Sequence, residues 1–140
     1  PDRRRAIEAR AASAGLRNVS VVAAAANATN LPDGCCDKVF LRNVYHHVQE
    51  PVPFAASVAR AVKPGGTVVV IDFEPGALWL HAAPPDPGSR RPGHGVARAD
   101  AIAEFGKAGF EAYREFPRWS GPMWLVVLRR AVTGVPDAAS

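Results

Sequence analysis

Two short polar stretches of this 140-residue chain carry side chains that could do acid–base chemistry. His46 and His47 stand side by side, and Asp72 follows a run of β-branched residues. A histidine could act as a general base towards a hydroxyl group or a carbon acid, because an imidazole titrates near neutral pH. The alternative is a structural role, in which one ring packs beneath the site. No metal site is predicted, because adjacent histidines point in different directions and no acidic residue lies at ligand spacing.

Two predicted strands and the helix between them position these side chains. Residues 67–73 are rich in valine and isoleucine and alternate little between apolar and polar, which predicts a strand covered on both faces. Residues 37–42 predict the other strand, and residues 50–62 predict the helix. The Lys-Pro-Gly-Gly turn at 63–66 ends that helix, because proline cannot continue it and glycine adopts a positive φ.

The connection between the two strands predicts where a ligand would bind. Two strands joined by a helix lie parallel, with a right-handed crossover. In open parallel sheets, ligands bind at the carboxyl ends of the strands. Residues 41–47 and 72–74 are therefore expected to lie beside any site.

The rest of the sequence extends this α/β pattern in both directions. Residues 2–14 predict a helix, although the arginines at 3–5 oppose the dipole of its first turn. Either these arginines are tolerated on the surface or the natural helix begins upstream of this chain. Residues 19–24 predict a strand, although the alanines at 23–26 are equally compatible with a helix. The other predicted elements are a loop at 27–33, a long loop at 74–95, a helix at 96–108, two strands at 110–116 and 123–129 that form an antiparallel hairpin at the sheet edge, and a tail at 132–140.

The bulk composition is that of a single soluble globular domain, with 48% hydrophobic and 21% charged residues. No signal peptide or membrane-spanning run is visible. The formal charge is +4, but the basic residues are scattered and no aromatic residues interleave with them, so nucleic-acid binding is not expected. Cys35 and Cys36 are adjacent, where a disulfide would be strained, and they suit a reducing cytoplasm.

Three motifs in order carry a resemblance to a known family. They are Leu-Pro-Asp-Gly at 31–34 before Asp37, Asn-Val-Tyr-His-His at 43–47, and Lys-Pro-Gly-Gly at 63–66 before a valine-rich strand. The chain resembles class I S-adenosylmethionine-dependent methyltransferases over nearly its whole length. The match is closest to the small-molecule branch, which includes the ubiquinone/menaquinone and arsenite methyltransferases.

The resemblance implies a three-layer, Rossmann-like α/β fold with a mostly parallel sheet and an antiparallel C-terminal hairpin. The family's glycine-rich cofactor loop and its acidic ribose-binding residue have no counterpart here. Residues 1–131 are therefore expected to be the C-terminal portion of an N-terminally truncated methyltransferase domain, with 132–140 as a tail. Missing strands would expose sheet edges, which a homodimer or a partner chain could cover.

By resemblance, two segments bind the cofactor S-adenosylmethionine. Asn27 stands where the family usually has an aspartate that accepts a hydrogen bond from the adenine amino group, and Ala28 follows with its backbone N–H near the ring. Leu41, Arg42 and Asn43 line the cofactor at the end of the predicted strand. The alternatives are an ordinary loop residue at Asn27 and a turn-capping role for Asn43.

The implied activity is methyl transfer to a small-molecule acceptor, by in-line displacement that depends mainly on positioning. His46 and His47 are candidate catalytic residues, and Asp72, Trp79 and His94 are candidate substrate contacts. The alternative function is a non-catalytic binding or interaction module that keeps the fold and has lost cofactor binding. An oxidoreductase is disfavoured, because no Gly-x-Gly-x-x-Gly motif occurs.

Overall fold

The structure is a computed structural model that describes residues 2–76 and 94–132. The predicted loop at 74–95 therefore lies largely outside the described residues, and so does most of the predicted tail. The elements in chain order are α1 (Asp2–Ser13), β1 (Cys36–Arg42), a 3-10 helix (Tyr45–His47), α2 (Pro51–Ala61), β2 (Val62–Phe73), α3 (Arg98–Gly106), β3 (Phe110–Ser120) and β4 (Met123–Arg130).

The strands form one mixed sheet in the order β1-β2-β4-β3. β1 pairs with β2 in parallel, with Leu41 opposite Val70. β4 pairs antiparallel with β2 on one side and with β3 on the other. The predicted parallel pair and the predicted C-terminal hairpin are both present. The second hairpin strand, β4, is the one that joins the sheet.

The core lies between one face of this sheet and two helices. α2 and α3 contact each other and pack against β2 and the hairpin strands. Alternate residues of two neighbouring strands point into this layer, as the pleat requires, and all are buried: Val68 and Val70 on β2, and Trp124, Val126 and Leu128 on β4.

The opposite face of the sheet carries apolar residues that remain exposed. Phe40 of β1 is 63% exposed and lies opposite Val69 of β2. Phe116 of β3, which is also exposed, lies opposite Leu125 of β4. The expected partner that would cover such a surface stays a prediction.

The predicted strand at 19–24 is wrong. Val19 and Val22 are exposed, and no strand is assigned to this segment. A strand exists only as part of a ladder, and among the described residues none of β1 to β4 pairs with it. The β-branched residues of this segment therefore do not form a strand, because no neighbouring strand in the described part of the chain pairs with them. An isolated bridge between Ala25 and Ala28 follows instead.

Several element boundaries also differ from the predictions. β2 begins at Val62, because Val62 pairs with Cys36 ahead of the turn at 63–66. Regular pairing then resumes with Thr67 opposite Lys38. The Lys-Pro-Gly-Gly residues at 63–66 therefore lie in an irregularity of the register between these two pairs. α3 begins two residues later than predicted, because Val96 donates its N–H to the Phe73 carbonyl (3.0 Å) instead of starting the helix.

The helices of the described chain are short. Within residues 2–76 and 94–132, none is long and apolar enough to cross a membrane.

Gly66 is required where β1 and β2 meet. A Cβ atom there would lie 2.6 Å from a Val62 methyl carbon and 2.9 Å from the Asp37 carbonyl oxygen. We expect Gly66→Ala to lower the free energy of unfolding by about 1–3 kcal/mol through overpacking. Urea denaturation followed by circular dichroism measures this change.

Gly106 supplies the matched control. It lies in α3, and a Cβ atom added there would meet nothing within 4 Å beyond its chain neighbours and its own helix backbone. Gly106→Ala should be neutral or stabilising by about 0.5–1 kcal/mol, because alanine loses less conformational entropy in a helix. Equal effects of both substitutions would contradict the close approach at Gly66.

Candidate functional site

A polar cluster lies at the carboxyl ends of β1 and β2, as the topology predicts. β1 ends at Arg42, and the N–H of Asn43 donates to the Ile71 carbonyl at 2.9 Å. Asn43 has φ 52°, in the left-handed region that asparagine tolerates better than most residues. The chain therefore leaves the sheet at this residue and enters the 3-10 helix Tyr45–His47.

Asp72 is the fully buried centre of this cluster. Its carboxylate accepts hydrogen bonds from the His46 ring Nδ1 (2.8 Å) and from the His46 backbone N–H (3.2 Å). The Phe73 backbone N–H is a third donor, at 3.0 Å. An ionised carboxylate is an acceptor only, and three donors around one buried group satisfy it well. Asp72 thus fixes both the backbone and the ring of His46.

The bond to Asp72 sets the tautomer of His46. With the proton on Nδ1, the lone pair lies on Nε2. His46 is only 4% exposed, and its Nε2 is buried with no hydrogen-bond partner among the described residues. An unpaired buried polar atom costs about 1–3 kcal/mol, so it calls for a functional or structural reason.

Three aromatic rings lie next to the His46 ring. The His46 ring centroid lies 3.9 Å from that of His47, 4.7 Å from that of Phe73 and 4.8 Å from that of His94. His94 also stacks on Phe73, with 5.7 Å between centroids. Its Nδ1 is a second buried ring nitrogen without a partner in the described part of the chain. Within the described residues, the cluster therefore holds two buried imidazole nitrogens without hydrogen-bond partners, on rings whose centroids lie 4.8 Å apart.

Gly95 brings His94 into the cluster. It has φ 113°, and a Cβ atom there would lie 2.9 Å from the Phe73 carbonyl oxygen and 3.0 Å from the Glu74 carbonyl oxygen. The next residue, Val96, bonds to Phe73 and accepts the Trp124 indole N–H at 3.1 Å. The chain thus returns to the end of β2 at His94.

The predicted adenine-binding loop is anchored on α2. Thr29 bonds to the buried Ser57 through its backbone N–H (2.8 Å) and its hydroxyl (3.0 Å). The Asn27 amide nitrogen donates to Glu50 at 3.4 Å, which leaves its amide oxygen as an acceptor. Asn27 is exposed and Ala28 is half-buried.

The other predicted site residues divide by burial. Leu41 is half-buried against the core, whereas Arg42 and Asn43 are exposed at the end of β1. His47 is exposed beside the buried His46. Trp79 lies outside the described residues.

Sequence reasoning missed how the site is assembled. The Asp72 carboxylate, a candidate substrate contact, also bonds to the ring of His46, and the sequence did not indicate that bond. Glu74 accepts the Arg98 N–H at 3.1 Å and so caps α3. Phe73 packs against both His46 and His94 and was not singled out. The available signal was the position of Phe73, which directly follows Asp72 at the carboxyl end of β2.

The three histidines do not form a recognisable metal centre. Across the described ranges, no group of three or more His, Cys, Asp or Glu residues has an arrangement that could hold a metal ion.

Comparisons with known proteins bear on the fold and the family. Residues 2–70 match the model of a family described as methyltransferase domain. A SAM-dependent methyltransferase from Aquifex aeolicus is similar in structure, with a TM-score of 0.68 and 22% identity over 87% of this chain and 60% of that one. No curated protein matches the sequence.

Two further solved structures share the fold. A SAM-dependent methyltransferase from Methanosarcina mazei has a TM-score of 0.60 and 15% identity, covering 92% of this chain and 77% of its own. The cyclase SpnF has a TM-score of 0.67 and 16% identity, covering 89% of this chain and 61% of its own. The chain thus spans about three fifths of the first structure and of SpnF.

These matches confirm the Rossmann-like fold and the resemblance to class I S-adenosylmethionine-dependent methyltransferases. S-adenosylmethionine is accordingly the cofactor that this likeness implies. The small-molecule branch and the site residues stay predictions.

Removing the Asp72 side chain should destabilise the fold. We expect Asp72→Ala to lower the free energy of unfolding by about 3 kcal/mol, because it leaves buried donors of His46 and Phe73 unpaired. Urea denaturation is the measurement. Asp33→Ala is the control, since the Asp33 side chain is 80% exposed and its loss should change stability by about 0.5 kcal/mol or less. A similarly small loss for Asp72→Ala would contradict the described network.

Proposed function

From its likeness to class I S-adenosylmethionine-dependent methyltransferases, we propose that this chain forms part of an enzyme that methylates a small molecule. The methyl acceptor binds at the carboxyl ends of β1 and β2. The observation that carries the proposal is the Asp72–His46 pair, which holds in a buried position, at that end of the sheet, a ring nitrogen with no partner in the part of the chain that the structure describes.

The described residues fit the adenine end of the cofactor. The Asn27 amide oxygen accepts a hydrogen bond from the adenine amino group, and the Ala28 backbone lies near the ring. Anchoring of Thr29 on Ser57 supports this role, because it fixes the loop in place before a ligand binds. Leu41, Arg42 and Asn43 form the neighbouring wall at the end of β1. S-adenosylmethionine supplies a methyl group on a sulfonium, which a nucleophile displaces in line.

His46 is the general base in this proposal. Its Nε2 lone pair takes the proton of an acceptor hydroxyl or amine as the nucleophile attacks. Asp72 is a positioning residue, because it holds the ring in the required tautomer and stabilises the imidazolium that forms. His47 contacts the His46 ring and remains a second candidate for acid–base chemistry.

The broader assignments follow from this function. We expect a cytoplasmic enzyme with a small-molecule acceptor, and a homodimer or partner chain that covers exposed sheet surface. The alternative of a non-catalytic module is not favoured, since the family match is to a methyltransferase domain.

Cofactor binding gives the first test. Calorimetric titration of the 140-residue chain with S-adenosylhomocysteine should show binding that is weaker than a domain with the family's glycine-rich loop would give, because that loop has no counterpart in this sequence. Asn27→Ala should weaken binding by about 2–10-fold, because it removes one neutral hydrogen bond. Asn18→Ala, at an exposed loop position away from the proposed contacts, is the control. The absence of any binding would argue against a cofactor site within this chain alone.

The base is tested through its tautomer and its effect on rate. Long-range proton–nitrogen NMR of ¹⁵N-histidine-labelled protein should find His46 protonated on Nδ1. In assays of S-adenosylhomocysteine release with hydroxyl and amine acceptors, His46→Gln should lower kcat by about 10²–10⁴-fold. Affinity for S-adenosylhomocysteine should not change, which separates loss of the base from loss of the cofactor. A proton on Nε2 would remove His46 as the base.

A further inference from the structure

A pair of thiols lies at the amino end of β1, at the opposite end of the strand from the candidate site. The sulfur atoms of Cys35 and Cys36 are 2.9 Å apart. Consecutive side chains of a regular strand point to opposite faces, so neighbouring thiols would not normally meet. Here the preceding Gly34 has φ 63°, and the register with β2 shifts between Cys36 and Lys38. The strand is therefore irregular where the thiols touch.

The two thiols differ in exposure and in proton affinity. Cys35 is exposed, whereas Cys36 is half-buried. Its hydrogen bond to Cys35, followed by burial, raises the pKa of the Cys36 thiol to about 11. Cys36 therefore keeps its proton at neutral pH and can donate it towards the Cys35 sulfur.

Charges of both signs act on this pair, since the Asp37 carboxylate raises the pKa of Cys36 and the Lys63 ammonium lowers it. The Lys63 ammonium forms an ion pair with Asp37 at 2.8 Å, and its charge also interacts with Cys35 and Cys36. A nearby cation and a hydrogen-bond donor both favour the thiolate form of a cysteine. Of the two sulfurs, Cys35 is the accessible one.

We propose that Cys35 and Cys36 form a thiol–disulfide exchange site for a low-molecular-weight disulfide such as glutathione disulfide. The Cys35 thiolate attacks one sulfur of that disulfide and forms a new S–S bond, while the original S–S bond breaks. One glutathione leaves as a thiolate and takes a proton from water. Cys35 is oxidised, and the departing glutathione is reduced. Cys36 stays a thiol and acts as the hydrogen-bond donor.

The exchange stops at the mixed disulfide for two reasons. Release of the second glutathione would need attack by the Cys36 thiolate, and Cys36 holds its proton strongly. The product would also be a disulfide between adjacent residues, whose Cα atoms are held about 3.8 Å apart. Ordinary disulfides need about 4.4–6.8 Å between these atoms, so the ring would be strained. This site is independent of the proposed methyl transfer.

A metal ion fits the pair less well than exchange does. Two thiolates on a tetrahedral zinc ion are about 3.8 Å apart, given the zinc–sulfur bond length. The observed separation of 2.9 Å is much shorter.

Mass spectrometry tests the proposal directly. The 140-residue chain is incubated with glutathione disulfide at neutral pH, and peptide mapping then locates the modification. We expect one glutathionyl group per chain, on Cys35. Modification mainly at Cys36, equal modification of both, or no modification would overturn the proposal. A chain that loses two hydrogens without gaining glutathione would also overturn it, since that mass change reports closure of the ring.

Two substitutions of Cys36 separate its hydrogen bond from its bulk. Cys36→Ser keeps a donor beside Cys35, so Cys35 should react at a rate close to that of the unmodified sequence. Cys36→Ala removes the donor, and the rate of Cys35 modification should fall several-fold. Equal rates in the two variants would show that Cys36 is not the hydrogen-bond donor. Circular dichroism of both variants checks that β1 remains folded.

Discussion

The buried carboxylate of Asp72 is the interaction on which the candidate site depends. It lies next to the last residue of β2 and binds both the backbone and the ring of His46, 26 residues earlier in the chain. The 3-10 helix after β1 is thereby fixed against β2. The backbone carbonyl of Phe73, the next residue, accepts a hydrogen bond from the N–H of Val96, where the chain comes back to the end of β2. Two neighbouring residues of one strand therefore bring together three separate stretches of sequence.

Local sequence predicted the elements better than it predicted the site. β2 was clear because its valine and isoleucine residues leave no polar face, and the Lys-Pro-Gly-Gly turn marked the end of α2. The segment at 19–24 has similar residues but lacks a paired strand. Whether this segment forms a strand depends on a neighbouring strand to pair with, and the β-propensity of its own residues carries no information about such a partner.

The contacts within the site depend on register and on chain reversal. Pairing of Arg42 with Ile71 puts the segment after β1 beside Asp72, and no local pattern specifies that register. His94 reaches the cluster only because Gly95 adopts φ 113° against the carbonyl groups of β2. The likeness to the cyclase SpnF shows that one fold supports different chemistry. Function therefore depends more on where individual side chains lie in the site than on the fold itself.

The position of β4 has a consequence for how the chain folds during synthesis. β4 is the last strand in the described sequence, yet it lies inside the sheet between β2 and β3. Until residue 130 has left the ribosome, β2 presents an open edge from Thr67 to Phe73, the whole length over which β4 later pairs. An apolar edge of this kind is a template for pairing with other nascent chains. A pause in translation before β3 would therefore prolong exposure to aggregation, whereas a pause after β4 would not.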